Sequence, residues 1–314
     1  MKVRFDALNL WFDNDITKNK IENSTKDENI DWIRCIPFVM LHLGCFAVFF
    51  VGWSVPSILV AMLLYFTRML AITGFYHRYF SHRSFKTSRL CQFIFAVLGT
   101  SAVQRGPLWW SSYHRYHHKY SDTKFDIHSP IQSGFWKSHM LWFMGKTNFT
   151  TKKELIGDFI KYPELKILDR FDIAIPILLS AGLIITGDLL NSYKPDLGVD
   201  GPQLFVWGFI ISTICLFHGT CSTNSITHKF GSKRYETNDD SRNNLFIALI
   251  TLGEAWHNNH HHYPSSARQG FFWWEIDITF WFLKCLSYFG IIWDLKVVPK
   301  NILNQHKLIK EISL

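Results

Sequence analysis

The sequence predicts an all-α integral membrane protein of four transmembrane helices, paired as two hairpins, beneath a cytosolic helical cap that carries a histidine-rich dimetal site. Three observations predict it. Stretches 35–67, 173–187 and 201–228 contain no Asp, Glu, Lys or Arg. The basic residues fall almost entirely on one side of those stretches, and nine of the 15 histidines gather in four short motifs. Composition agrees: 48% hydrophobic content excludes intrinsic disorder, and 18% charged residues is below the roughly 25% usual for soluble domains.

Residues 1–34 are polar and mixed in charge, without the basic start, short apolar run and small-residue cleavage site of a signal peptide, and read as a cytosolic arm. Stretch 35–67 would run about 50 Å as one helix against a hydrocarbon core of roughly 30 Å, so it must fold back or tilt steeply. Gly52-Trp53-Ser54-Val55-Pro56 supplies the turn, giving spans at about 33–51 and 56–76. Loop 191–200, with Pro195 and Gly198, joins a second pair at about 171–190 and 201–223. Stretches 90–104 and 245–253 are too short to span comfortably and read as buried or interfacial. The aromatic stretch 270–299, interrupted by Lys284, suits a helix lying in the interface, with a fifth span as the alternative. Residues 35–299 then form one membrane domain, followed by a tail at 300–314.

Lys and Arg number 6 in residues 1–34, 15 in 77–170 and 10 in 223–314, against Lys194 alone in the opposite loop. Short cytoplasmic loops carry the basic excess, which places these three regions in the cytosol of a multi-pass membrane protein. The net charge of +8 therefore orients a membrane protein and requires no nucleic acid. Six cysteines without a CxxC pair give neither a disulfide framework nor a thiolate zinc site.

The histidines are His77 and His82, then His114, His117 and His118, then His228, then His257, His260 and His261. On a helix, positions i, i+3 and i+4 project to one side, so each HxxHH is expected to aim three imidazoles at one facing point. His77 and His82, five apart, lie about 140° apart on an ideal α-helix and can share a site only if the helix ends or bends between them. Span parity places all nine on one membrane face. Nine imidazoles exceed what one ion accepts, so two metals are indicated, and imidazole alone does not choose among iron, copper, nickel and zinc. Asp122, Asp126 and Glu254 lie beside the motifs and are candidates to accept the second ring N–H of a ligand.

The motifs GFYHRYFSH (74–82), HRYHHKYSD (114–122), NSITHKFG (224–231) and GEAWHNNHHHYP (253–264) resemble the histidine boxes of the membrane fatty acid desaturases, in particular the Δ9, stearoyl-CoA desaturase-like branch. The resemblance runs from about residue 36 to 298. It implies two iron ions held by the nine histidines, Asn224 reaching a metal through water, and O₂ as co-substrate. The implied reaction places a cis double bond, at Δ9, in a saturated acyl chain with two externally supplied electrons. Unactivated C–H bonds offer ordinary acid–base groups no purchase, in keeping with a redox metal. Trp109, Trp110 and Trp256 are candidates to shape an acyl tunnel. With no HPGG-type cytochrome b5 core in the sequence, a separate ferredoxin-, rubredoxin- or cytochrome b5-like donor is expected, and the acyl carrier (CoA, acyl carrier protein or lipid) stays open. A membrane di-iron hydroxylase of alkane, sterol or carotenoid type is the nearest alternative, and a non-enzymatic metal-handling protein a more distant one.

Overall fold

The computed structural model describes residues 9–15 and 29–305, and the expected arm 1–34 and tail 300–314 fall partly outside them. Four helices are long and apolar enough to cross a membrane: span 1 (Trp32–Val51), span 2 (Val55–Ser81), span 3 (Ala174–Tyr193) and span 4 (Gly201–Ser225). Spans 1 and 4 lie within two residues of their expected ranges, span 3 lies three residues later, and span 2 runs five residues further than expected, into the first histidine motif.

Local chemistry sets the ends. Asp31 caps span 1 by accepting from Arg34 N at 3.2 Å. Gly52 adopts φ 63°, a conformation that suits glycine, and reverses the chain into a Ser54/Ser57 capping box with Pro56 at the first turn. Asp200 caps span 4. Spans 3 and 4 approach closely at Gly187, where a Cβ would lie 2.3 Å from the Asp200 carbonyl oxygen. Phe49, Phe50, Leu63 and Leu178 stand exposed on the outer faces of spans 1, 2 and 3, as lipid-facing side chains do. Within the bundle, buried Arg68 is satisfied by carbonyls of Leu64 and Ser101 and hydroxyls of Ser212 and Thr213.

Short helices build the cap. They are α1 (Arg89–Thr100), α2 (Pro107–Tyr120), α3 (Pro163–Arg170), α4 (Leu245–Ile250), α5 (His257–His262) and α6 (Ile278–Tyr288). At 12, 6 and 11 residues, α1, α4 and α6 are too short to span, which sets aside the fifth-span alternative for stretch 270–299. A two-residue antiparallel pairing of β1 (Lys86–Thr87) with β2 (Ile292–Trp293) ties the late segment to the loop after span 2.

Candidate metal centre and acyl cavity

The last turns of span 2, residues 71–81, are wound as a π-helix, and His82 N bonds back to His77 O at 3.2 Å. A π-helix returns to the same face about every five residues, so His77 and His82 converge without a bend. Their Nε2 atoms lie 3.1 Å apart. The expectation that the helix ends or bends between the two is met by its end at Ser81, with His82 as the C-cap, and the π-winding adds to it by bringing residues five apart nearer one face.

Two arginines of the motifs assemble the boxes. Buried Arg78 donates to Glu254 at 2.8 Å, to Asp277 at 2.9 Å and to the Ala267 carbonyl at 2.6 Å, joining span 2 to the third box. Arg115 forks onto Asp158 at 2.9 and 3.0 Å and donates to the Phe80 and Ser81 carbonyls, which end span 2. At the other end of α2, Asp169 Oδ1 accepts from Trp109 N at 2.7 Å and so caps the helix from outside.

All nine expected histidines come together, in two groups. His77, His82, His114, His118 and His260 form one, and His117, His228, His257 and His261 the other. Each HxxHH therefore serves two points instead of the single one expected. On an ideal helix i and i+4 lie about 40° apart, whereas i+3 lies about 60° to the other side. In α2, His114 and His118 face the five-histidine group while His117 faces the other; in α5, His257 and His261 face the four-histidine group while His260 crosses to the first.

The ring nitrogens test the fit to a metal. Nε2 contacts run 2.8 Å for His82–His114, 3.1 Å for His77–His260, 2.9 Å for His118–His260 and 3.0 Å for His228–His257. Nitrogens bound at right angles to one ion at 2.0–2.1 Å would stand about 3.0 Å apart. Hydrogen bonding does not explain the convergence, because the single Nε2 of His260 meets two other ring nitrogens with at most one proton between them. Among the described residues, buried Nε2 atoms of His117 and His261 have no partner at all. Converging, unpaired lone pairs are costly unless a cation lies between them, so both groups fit a metal ion.

Four ligand candidates have their Nδ1 tied to a carboxylate: His77 to Glu254, His117 to Asp126 at 3.0 Å, His228 to Asp122 at 2.7 Å and His261 to Asp239 at 2.6 Å. Glu254, Asp126 and Asp122 are the expected three. Asp239 had no sequence signal beyond being a carboxylate in an Asn/Asp-rich loop, 22 residues before its histidine. Three of the four carboxylates back the four-histidine group, where fewer ligands must supply the basicity. Burial alone would raise these acids, but the imidazoles they face hold Asp122, Asp126 and Asp239 below the ordinary carboxylate range. Burial, with crowding by other imidazoles, pushes His82, His114, His118, His257 and His260 well below the usual histidine range, leaving them neutral and able to ligate. His262 lies in neither group and stacks on Tyr235, 4.2 Å between centroids.

An apolar cavity of about 220 Å³ leads to this centre, lined by Phe38, Trp109, Trp142, Phe143, Phe217 and others, and ending at His114 and Asn224. A smaller one of about 50 Å³ lies beyond, against His77, His257, Met69 and Thr73. Trp110, His114, Thr220 and Asn224 border both and form the waist between them. There Gln104 receives Trp110 Nε1–H at 3.2 Å and donates to Thr220 Oγ1 at 3.0 Å. Trp109 and Trp110 line the large cavity, whereas Trp256 lines neither: it packs with Ala248 and Ala255 and donates to the Ile276 carbonyl.

The family model for fatty acid desaturase matches residues 52–284. The chain is 38% identical over 286 residues to acyl-CoA 5-desaturase AL21 of Anemone leveillei, covering 87% of this chain and 84% of that protein. It is 35% identical to sn-1 stearoyl-lipid 9-desaturase of Anabaena variabilis over 90% of this chain and 99% of that one. With Delta-9 acyl-lipid desaturase 1 of Arabidopsis thaliana the identity is 35% over 88% and 87%. The histidine boxes, the helical membrane fold and these matches together make the chain a member of the fatty acid desaturase family, oxidoreductases that place double bonds in acyl chains.

Proposed function

We propose that this protein is an O₂-dependent acyl desaturase that introduces a cis double bond at Δ9, using two iron ions held by the two histidine groups. The observation that carries the reading is the waist at Trp110, His114, Thr220 and Asn224, where the large apolar cavity abuts a small one that is lined by His77 and His114 of one group and His257 of the other. Iron would supply the O₂ and redox chemistry that no side chain offers against an unactivated C–H bond. His77, His82, His114, His118 and His260 would hold one ion, and His117, His228, His257 and His261 the other, with Asn224 completing the smaller set through water. Glu254, Asp126, Asp122 and Asp239 fix the tautomers of His77, His117, His228 and His261, so the Nε2 of each of these four is presented as a lone pair.

The rest is positioning. Aromatic walls exclude water from the chain, and the Trp110–Gln104–Thr220 bridge narrows the waist so that one methylene pair stops beside the metals. The overall balance takes O₂, two electrons, two protons and two chain hydrogens to two waters and an alkene. A separate ferredoxin-, rubredoxin- or cytochrome b5-like protein supplies the electrons. The distribution of Lys and Arg supports a cytosolic site, and the membrane in this reading is a bacterial inner membrane. Relatives whose names specify acyl-CoA and acyl-lipid substrates leave both carriers in play.

The test is the fatty acid profile, with double-bond location by mass spectrometry, of a host that lacks an aerobic desaturase and expresses this chain with such a donor. A new cis monoene at carbon 9 supports the reading. A double bond at carbon 5 replaces the position, a reading favoured by the identity to the Anemone 5-desaturase. Hydroxylated product, or none with protein in the membrane and donor present, overturns it.

A further inference from the structure

The end of the large cavity away from the metals is bordered by three pieces of chain. Arg34 and Pro37 come from the start of span 1, and Asp172, Ile173 and Pro176 from the approach to span 3 and its first turn. The third piece is residues 9–15, which contribute Leu10, Trp11 and Asn14. This segment lies outside residues 52–284, the stretch matched by the family model. Two of the three borders are rooted in membrane spans, whereas the third is a single turn of helix with half-exposed Phe12 on its outer side.

Polar contacts at its rim attach that turn. Trp11 Nε1 donates to the Ile33 carbonyl at 2.7 Å, Asn14 N to the Arg170 carbonyl at 3.0 Å, and Asn14 Nδ2 to the Asp169 carbonyl at 2.9 Å. Asp13 pairs with Arg170 through two contacts of 2.6 and 2.9 Å, and the arginine side chain is 46% exposed. The Asp13–Arg170 pair, with side chains 16% and 46% exposed, is within reach of solvent, and a border of one helical turn opens at lower cost than the separation of two spans.

We propose that residues 9–15 are a detachable wall of the acyl cavity, held shut by the Asp13–Arg170 pair, that lifts to admit the chain and closes to retain it through turnover. Leu10 and Trp11 then cover apolar carbons that would otherwise meet water, and Asp13 and Arg170 act as positioning residues without touching the substrate. The proposal rests on the reading of the large cavity as the acyl site.

The test uses the full-length, iron-loaded protein in lipid nanodiscs with its electron donor, and three variants: Asp13→Arg, Arg170→Asp and the double swap. The readout is the competitive deuterium isotope effect on kcat/KM, with saturated acyl substrate protiated or deuterated along the chain. A retained chain is committed to reaction, which suppresses the effect; a chain that escapes faster reveals it. Both single variants should raise the isotope effect by about half or more, and the double swap should return it to the wild-type value. An unchanged effect in the singles, or a change that the swap does not reverse, overturns the proposal. Failure of the wild-type protein to desaturate any acyl substrate would instead remove the functional reading beneath it.

Discussion

His77 and His82 stand five positions apart, yet their Nε2 atoms lie 3.1 Å apart because the end of span 2 is wound as a π-helix. His82 in turn meets His114 at 2.8 Å, so the membrane span itself delivers two members of the five-histidine group to the cap. The transition from bilayer to metal centre is made at the end of this helix, with His77 in its last turns and His82 as its C-cap.

Removing one histidine from each group tests the division. His260→Ala should lower bound iron from two ions per chain towards one and abolish desaturation, a loss of at least about 100-fold, while the protein still inserts. His117→Ala should do the same through the other group. Metal analysis of the purified variants, beside product formation, checks both, and near-normal activity in either would break the ligand assignment. His262→Ala should be mild, since that ring stacks on Tyr235 away from both groups.

Asp239→Asn keeps the side-chain volume but removes the charge behind His261. An amide can still accept from Nδ1, yet it no longer raises the basicity of the ring, and metal affinity or activity should fall about 10- to 100-fold. Titration of the stripped protein with Fe²⁺ reads the affinity directly. Because Asp239 backs His261, a member of the four-histidine group, the loss should concentrate in the ion of that group.

The four spans and the nine histidines were legible because each rests on a local rule: charge-free length for a span, recurring spacing for a ligand. The end of the helix between His77 and His82 was expected from their spacing, but its π-winding was not, because no local rule marks a π-helix in the sequence. The split of HxxHH between two groups was equally hidden, since i+3 and i+4 share a side of the helix but not a target, and only the packing of α2 against α5 separates them. Asp239 and the Arg78 and Arg115 staples are long-range partners, invisible until the chain is folded. Trp256 shows the converse: a tryptophan inside a ligand motif went to ordinary packing.

Acid should destabilise the metal-free protein. Burial holds His82, His114, His118, His257 and His260 well below the ordinary 6.5, whereas in the unfolded chain they titrate near that value. Below it the unfolded state binds more protons than the folded one. Stability is therefore complete above about pH 6.5 and falls as the pH drops, by up to about 1.4 kcal/mol per pH unit for each histidine. Chelator-stripped protein in detergent should melt at a lower temperature at about pH 5.5 than at about pH 8. A flat profile would mean that these rings are solvated in the metal-free state.

The position of α2 depends on a glycine. Gly106 precedes the helix, and a Cβ there would fall 2.4 Å from both Asp169 Cα and Asp169 Oδ1. Neither atom can yield freely, because Cα is backbone and Oδ1 already holds the first turn of α2 through Trp109 N at 2.7 Å. Gly106→Ala must therefore push α2 off α3 or break that cap, at a cost of about 1–3 kcal/mol. The same movement displaces His114, His117 and His118, which serve both histidine groups, so iron content and turnover should fall together. Gly182→Ala is the control: it also adds one methyl group, in span 3, where nothing lies within 4 Å. Thermal unfolding, iron content and product yield of the two variants should differ in all three measures, and matching behaviour would show that α2 is not held by this contact.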